Sequence, residues 1–128
     1  MARIIIADDD DLIVDVVRSK LEECGHIVGA LPDGLSVRAV LDAKKPDLLI
    51  LDCGMPNKSG LEALREVRNS ASNYGIPVLM LTGRTGISDE QIAYSTGADD
   101  YIRKPFDPDQ LAARVDALLD KHAERRSA

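Results

Sequence analysis

The feature that most constrains this chain is an alternation between short apolar runs and longer stretches whose apolar residues recur at helical spacing. The run Asp47–Leu51 has no polar residue between its apolar ones, which is typical of a strand buried on both faces. Short apolar runs bounded by turn residues predict buried strands. The five runs are Arg3–Ala7, His26–Leu31, Asp47–Leu51, Pro77–Leu81 and Asp100–Arg103.

The stretches that follow these runs predict five helices. Gly25 ends the first helix, and Pro108 takes the first helical position of the last one. Strands that alternate with helices build right-handed βαβ units, so we predict an α/β fold whose parallel sheet is covered on both faces. The predicted helices are Leu12 to Cys24, Ser36 to Lys44, a stretch from Ser59-Gly60 onward, Ser88 to Ser95, and a stretch from Asp107-Pro108 onward.

Apolar residues at helical spacing mark the faces of these helices. In the first helix they are Leu12, Val16, Val17 and Leu21. The fourth helix is only weakly apolar, with Ile92 and Tyr94 as its larger residues. Residues spaced by three or four positions share a face, which predicts the side that packs on the sheet.

The length and composition fit one folded domain. The chain has 128 residues, of which 45% are hydrophobic and 30% charged. Such a length suffices to bury a sizeable core, and this balance is typical of folded rather than disordered chains. No internal repeat or linker interrupts the pattern. We therefore predict a domain over residues 1–121, followed by a flexible tail or linker stub over 122–128, where apolar residues are scarce.

Charge and hydropathy argue against several classes of protein. The net charge is −6, which disfavours a surface that tracks nucleic acid or anionic lipid. No apolar run is long enough to span a membrane, and the first residues lack the layout of a signal peptide. Cys24 and Cys53 form no CxxC motif, so we interpret both as small buried residues in a reducing compartment. A cytoplasmic location is predicted.

Polar residues follow four of the five predicted strands. Asp8 to Asp11 follow the first strand, Asp52 the third, Thr82 the fourth and Lys104 the fifth. Ligands of open parallel α/β sheets bind beyond the carboxyl ends of the strands. The sequence therefore predicts a polar site at that edge of the sheet.

The four consecutive aspartates divide into two pairs. A helix begins next, and its amino terminus accounts for Asp10 and Asp11 as capping and first-turn acids. Asp8 and Asp9 are not explained in this way, and with Asp52 they bring three carboxylates together. Such a cluster repels itself unless a cation neutralises it, and oxygen ligands without His or Cys favour Mg²⁺.

This set of residues fits phosphoryl transfer. A carboxylate nucleophile beside a divalent cation can attack phosphorus in line, and Asp52 is the candidate nucleophile. Lys104 would supply a fixed positive charge, and Thr82 a hydroxyl donor, for the phosphoryl oxygens. Glycines near Thr82 do not form a P-loop, because no GK[ST] sequence follows them.

Four motifs in order resemble the receiver domain of two-component response regulators. They are IIADDD (5–10), LDCGMP (51–56), LTG (81–83) and GADDYIRKPF (97–106), and the likeness covers residues 3 to 121. The resemblance implies a flavodoxin-like fold with the strand order 2-1-3-4-5. It also implies phosphoryl transfer from a sensor histidine kinase or a histidine phosphotransfer protein, within a signalling domain rather than a turnover enzyme.

The resemblance assigns the metal ligands residue by residue. Asp52 would be the phosphoacceptor and, with Asp9, a direct ligand of Mg²⁺, for which Mn²⁺ would substitute. Asp8 would act on the metal through water, and the backbone carbonyl of Gly54 would complete the protein ligands.

The resemblance also assigns the residues that report phosphorylation. Thr82 and Lys104 would contact the phosphoryl oxygens, and the Lys104-Pro105 bond is usually cis in the family. Thr82 would move toward the phosphoryl group, and the switch aromatic Tyr101 would turn inward behind it. The surface formed by the fourth helix, fifth strand and fifth helix would change, and would control a downstream protein or an output domain.

Several positions depart from the family pattern. Gly83 replaces the usual alanine, while Gly54 and Arg84 occupy two positions that govern how water reaches the acyl phosphate. Glycine opens that approach and arginine can shield it, so the phosphoryl lifetime does not follow from the sequence.

Dimerisation through the surface of the last helices is a further expectation of the resemblance. Asp99, Asp100 and Arg114 fit part of the charge pattern that pairs receivers of winged-helix transcription factors, although Asp116 stands where a base is frequent. His26 and His122 have no neighbouring ligand partner in the sequence, and we interpret both as surface or structural residues.

Two other functions compete with the signalling domain. The first is a Mg²⁺-dependent phosphatase of the haloacid dehalogenase type, which also uses an aspartyl nucleophile. Those enzymes carry a second aspartate two residues later, where this chain has Gly54, and the length leaves no room for a cap domain. The second is a degenerate receiver that serves as a binding scaffold, which the presence of Asp8, Asp9, Asp52, Thr82 and Lys104 disfavours.

Overall fold

The strands and helices follow the predicted alternation in a computed structural model that describes residues 1–83 and 87–127, without the side chains of 87–89 and 124–127. The strands are β1 (Arg3–Ala7), β2 (Ile27–Leu31), β3 (Leu48–Asp52), β4 (Val78–Thr82) and β5 (Asp100–Arg103). The helices are α1 (Asp11–Glu23), α2 (Val37–Lys44), α3 (Gly60–Arg68), α4 (Ile87–Thr96) and α5 (Pro108–Ser127).

The five strands form one parallel sheet in the order β2-β1-β3-β4-β5. Every neighbouring pair is parallel, with Ile6 opposite Ile50 and Asp52 opposite Leu81 in the register of the central strands. This order confirms the fold class and the topology implied by the sequence motifs.

The sheet is buried between two layers of helices. Every residue of β3 and β4 is buried, as predicted for Asp47–Leu51 from its lack of alternation. Side chains of successive residues point to opposite faces of a strand, so the same strands supply two cores. One core includes Ile4, Ile6, Val17, Leu21, Ile50, Leu79, Leu81, Leu111 and Val115. The other includes Leu41, Leu49, Leu51, Leu64, Val67, Val78, Met80, Ala93 and Tyr101.

Two strands end one residue later than their predicted apolar runs. β3 and β4 end at Asp52 and Thr82, which were predicted to follow the strands. The apolar pattern stops before these two residues because they are polar, whereas the backbone pairing includes them. Both side chains are therefore held by the sheet rather than by a loop.

The predicted inner face of α1 was wrong in part. Leu12 and Val16 are exposed, at 76% and 43% of their surface, while Val14, Val17 and Leu21 are buried. The buried residues recur at intervals of three and four, which is the spacing of one helical face. Leu12 and Val16 lie beside that face and are left in contact with solvent.

One further expectation changes at the end of α1. Cys24 is exposed rather than buried, since it lies at the end of α1 where the chain turns away, whereas Cys53 is partly buried. α5 runs to Ser127, past the predicted boundary at residue 121, because nothing in this polar segment breaks a helix. The domain boundary itself stays a prediction.

No helix in the described part of the chain is both long enough and apolar enough to cross a membrane.

The histidines fit structural roles where their contacts are described. The His26 Nδ1 atom accepts a hydrogen bond from the Ala2 backbone amide at 3.1 Å, and its Nε2 atom lies 3.1 Å from Asp116 Oδ1.

Candidate functional site

The predicted polar residues meet at one edge of the sheet. Asp8 directly follows β1, Asp52 and Thr82 end β3 and β4, and Lys104 directly follows β5. Because all strands are parallel, their carboxyl ends lie at the same edge, which brings together residues far apart in sequence.

Three carboxylates form the centre of this site. Oxygen atoms of Asp8, Asp9 and Asp52 all lie within 4.8 Å of one another. Asp8 and Asp52 are buried, at 2% and 7% exposure, whereas Asp9 is exposed. Buried carboxylates are costly unless a positive charge accompanies them.

Lys104 is the cation that the described structure places against the two buried acids. Its Nζ atom lies 2.9 Å from Asp8 Oδ2 and 3.2 Å from Asp52 Oδ1. The Lys104 backbone amide also donates a hydrogen bond to the Thr82 carbonyl at 2.6 Å, which ties the β5–α5 connection to the end of β4. The Lys104–Pro105 peptide bond is cis, as the resemblance implied.

The electrostatics of the site leave Asp52 ready to accept a cation. Burial raises the pKa of Asp52 above its usual range, and the charge of Asp8 adds to this effect. Lys104 and a hydrogen bond from the Gly54 backbone amide act in the opposite direction without cancelling it. For Lys104, burial lowers the pKa, but the hydrogen bond to Asp8 and the charge of Asp52 raise it further, so that the net direction is upward.

The remaining aspartates of the first motif shape the backbone. Asp8 Oδ1 accepts a hydrogen bond from the Asp10 amide at 2.9 Å. Asp10 caps α1, its carboxylate accepting from the Leu12 and Ile13 amides at 3.0 and 3.4 Å. The capping role predicted for Asp10 is confirmed, and the cap fixes the turn that carries Asp8.

A close contact that was not predicted from the sequence holds the end of β3. A Cβ atom on Gly60 would lie 2.1 Å from the Asp52 carbonyl oxygen, so only glycine allows α3 to begin there. The Gly60 amide donates to the Cys53 carbonyl at 3.2 Å, and Ser59 caps the helix through the Glu62 amide. The Ser59-Gly60 pair signalled only a helix start, because the path of the preceding loop does not follow from the sequence.

Both residues assigned to switching are buried. Thr82 is 1% exposed and Tyr101 is 6% exposed. The ring of Tyr101 lies 6.4 Å, between centroids, from the ring of Tyr94 on α4. Their assigned movements stay predictions.

The charges expected at a dimer surface have partners within the chain. Asp99 forms an ion pair with Arg68 at 2.9 Å, and Asp100 forms one with Arg114 at 2.8 Å. Dimerisation stays a prediction, and Arg84, assigned to water access, lies outside the described residues.

The donor set fits a hard divalent cation. Each of Asp8, Asp9 and Asp52 offers a carboxylate oxygen, and neither histidine nor cysteine belongs to the cluster. Mg²⁺ prefers such oxygen ligands and keeps several water molecules, which the exposed side of Asp9 permits. These carboxylates could hold the ion that the motifs imply.

The sequence of this chain is similar to a known domain family and to curated proteins. The model of the response regulator receiver domain matches residues 4–116. The "DNA-binding dual master transcriptional regulator RpaA" of Synechocystis is 41% identical over 93% of this chain and 49% of its own length. The "Response regulator protein PmrA" of Pseudomonas aeruginosa is 43% identical over 91% of this chain and 52% of its own. The chain thus spans about half the length of these curated relatives.

Solved structures share the whole architecture. A CheY-like response regulator receiver domain protein from Methanospirillum hungatei superposes with a TM-score of 0.90 at 27% identity, covering 98% of both chains. A putative response regulator from Chloroflexus aurantiacus gives a TM-score of 0.89 at 31% identity, over 93% of this chain and 98% of its own.

Proposed function

This chain belongs to the response regulator receiver domain family, and we propose that its Asp52 accepts a phosphoryl group from a phosphohistidine. The donor is a sensor histidine kinase or a histidine phosphotransfer protein. The observation that carries the proposal is the position of Asp52, a buried carboxylate 3.2 Å from Lys104 Nζ and grouped with Asp8 and Asp9.

The transfer is an in-line substitution at phosphorus. A carboxylate oxygen of Asp52 attacks the phosphorus, an O–P bond forms, and the P–N bond to the histidine ring breaks. The electron pair of the broken bond stays on the ring nitrogen. The raised pKa of Asp52 indicates a carboxylate poorly stabilised by its surroundings, which favours its reaction with an electrophile.

Lys104 and Thr82 serve the phosphoryl oxygens. Lys104 already stands between the two buried acids, so its ammonium group can donate to a phosphoryl oxygen on Asp52 with little movement. Thr82 ends the neighbouring strand, where its hydroxyl can donate to a second oxygen.

Asp8, Asp9 and Asp52 would hold Mg²⁺, or Mn²⁺ in its place, with Asp8 acting through water and the Gly54 carbonyl completing the protein ligands. The bound ion supplies positive charge that neutralises the phosphoryl oxygens as they approach the acids.

Phosphorylation then acts on the surface of α4, β5 and α5. Thr82 shifts toward the phosphoryl group, Tyr101 responds behind it, and a downstream protein or an output domain reads the change. The contact between Tyr101 and Tyr94 supports this route, since it joins β5 to α4. The same surface is the one we propose for a dimer.

We place this switch in the cytoplasm, acting without direct contact to nucleic acid, in keeping with its net charge of −6. It assists its own phosphorylation and a slow autodephosphorylation, and otherwise turns over no substrate. A haloacid dehalogenase-type phosphatase fits less well, because Gly54 stands where its acid catalyst is required.

The test is the intact mass of the protein after incubation with acetyl phosphate and Mg²⁺. One phosphoryl adduct is expected for the wild type and for Asp120→Asn, an exposed matched control on α5, but none for Asp52→Asn. If no adduct forms, binding of beryllofluoride with Mg²⁺ is measured by calorimetry. Absence of both signals would reject the phosphoacceptor in favour of a degenerate receiver that acts as a scaffold.

A further inference from the structure

The side chain of Arg68 joins three segments at the edge of the sheet opposite the phosphorylation site. Its Nε atom donates to the Gly97 carbonyl at 2.9 Å, and Nη1 donates to the Tyr74 and Ile76 carbonyls at 2.9 and 2.6 Å. Its Nη2 atom lies 2.9 Å from Asp99 Oδ2. We call Arg68, these three carbonyl groups and Asp99 the Arg68 clamp.

The backbone is built around this clamp. Asp99 Oδ2 also accepts from the amide of Val78, the first residue of β4, at 2.8 Å. Gly97 has a φ of +124°, and a Cβ atom there would lie 2.8 Å from Arg68 Cγ. Glycine therefore serves both the turn after α4 and the approach of the guanidinium group. The clamp links the end of α3, the start of β4 and the connection between α4 and β5.

Apolar packing is sparse in the part of α4 whose side chains the structure describes. Among its side chains described, Glu90 to Thr96, Ala93 alone is buried, while Ile92 and Tyr94 are 46% and 43% exposed. Most surface helices are held by a stripe of apolar residues along one face. The exposed ion pair of Glu90 with Arg103, at 3.2 Å, adds little, because solvent screens it. The position of this described part of α4 therefore depends on how the carboxyl-terminal end of the helix is held.

We infer that Arg68 is a positioning residue that fixes the carboxyl-terminal end of α4, so that α4 turns about this end when Asp52 is phosphorylated. The first half stands on the contacts of the clamp, and the second half rests on the proposed function. The clamp contacts residues before β4 and β5, whereas Asp52 is the last residue of β3 and Lys104 follows β5. Arg68 touches no reacting group, so phosphorylation itself does not depend on it.

The experiment compares Arg68→Gln with Val115→Ala. Gln retains a hydrogen-bonding amide group, but it lacks the charge of Arg and is too short to make all the contacts of the clamp. Val115 is fully buried in the core on the other face of the sheet, so its truncation destabilises the fold without touching the clamp. Asp99→Asn is a second variant, which removes only the ion pair. It allows the test to be made if Arg68→Gln does not fold.

The first readout is amide hydrogen exchange in the unmodified protein. Relative to Val115→Ala at matched global stability, Arg68→Gln is expected to speed exchange at Gly97 and Ala98 about tenfold or more, as the clamp's hydrogen bonds are lost. Asp99→Asn is expected to act in the same direction. Exchange equal to that of the control would overturn the positioning role.

The second readout is the ¹⁹F resonance of Tyr94 in protein labelled with 3-fluorotyrosine, assigned with Tyr94→Phe. Addition of beryllofluoride and Mg²⁺ is expected to shift it equally in the wild type and in Val115→Ala. In Arg68→Gln the shift falls to about half or less, as a loosened helix already samples several positions. The rate of phosphorylation by acetyl phosphate stays unchanged in all three proteins.

The outcomes separate the two proposals. An undiminished Tyr94 shift in Arg68→Gln would overturn the inference that α4 turns about its carboxyl-terminal end. If the wild type shows neither a phosphoryl adduct nor a beryllofluoride response, the proposed function fails, and the inferred turn of α4 fails with it. Hydrogen exchange then still decides whether Arg68 fixes the end of α4, because that readout needs no phosphorylation.

Discussion

One lysine side chain contacts two buried carboxylates, and this shared contact determines the electrostatic environment of Asp52. Lys104 lies within 3.2 Å of both Asp8 and Asp52, yet its charge does not fully offset the burial of Asp52 and the repulsion from Asp8. The pKa of Asp52 therefore stays raised. The unmodified fold holds an ionised carboxylate at a cost, which a cation or a phosphoryl group relieves.

Asp52→Asn is expected to raise the melting temperature in the absence of Mg²⁺ at neutral pH, against the usual effect of substituting a buried residue. An acid whose pKa is raised by folding weakens the fold once pH exceeds its unfolded value, and the penalty is fully present above the folded value. Asn carries no charge, so the Asp52→Asn variant does not incur this penalty. The gain should shrink from about pH 7 to about pH 4, as Asp52 in the wild type protonates.

Thermal melts across this pH range, monitored by circular dichroism, measure the difference. Asp120→Asn, which removes an exposed carboxylate from α5, is the control and should change the melting temperature little at any pH. A lower melting temperature for Asp52→Asn at pH 7 without Mg²⁺ would show that the ion pair with Lys104 outweighs burial.

At the scale of elements, the sequence predicted strands and helices well where periodicity decides them, and less well where packing does. β1 and β5 have the predicted bounds, because an apolar run and the backbone pairing coincide there. Leu12 and Val16 continue an apolar spacing on α1 yet face solvent, since the sheet covers only the stripe through Val14 and Val17. Which stripe is covered depends on how the helix is rotated on the sheet, which spacing alone does not determine.

The junction of β3 with α3 shows why one element depends on another. Gly60→Ala places a methyl group against the Asp52 carbonyl, 2.1 Å from its oxygen, so α3 must move away from the end of β3. We expect a loss of about 1–3 kcal/mol in the free energy of unfolding, typical of overpacking. Phosphorylation by acetyl phosphate should also slow, because the displaced backbone carries Asp52.

Gly75→Ala is the matched control for this junction. A Cβ atom on Gly75 meets no atom within 4 Å, so the same methyl group is accommodated there. Urea unfolding and the rate of adduct formation are compared for the two variants. If Gly60→Ala matches Gly75→Ala in both measurements, the close approach of α3 does not position Asp52.

At the scale of the whole molecule, the parallel sheet separates chemistry from mechanical support. The acids and Lys104 lie at or just after the carboxyl ends of strands, and the Arg68 clamp lies at the opposite edge. The sequence predicted the first set because the order of strands alone brings those positions together. It did not predict the clamp, because Arg68 is one of several charged residues near a helix end, and Asp99 was assigned to a dimer contact instead. A contact made by a long side chain between distant segments produces no periodic pattern in the sequence.

Binding of the cation at the acids is coupled to the stability of the whole fold. Mg²⁺ that binds the folded acids but not the unfolded chain should raise the free energy of unfolding, by about 2.7 kcal/mol at a concentration 100 times its dissociation constant. Asp9→Asn should weaken this response while changing stability little without Mg²⁺, because Asp9 is exposed and contributes a ligand oxygen. Asp11→Asn makes the same chemical change two residues away, on the first turn of α1, and should retain the full response. Urea unfolding over a Mg²⁺ series tests all three proteins, and equal responses in Asp9→Asn and Asp11→Asn would exclude Asp9 from the metal site.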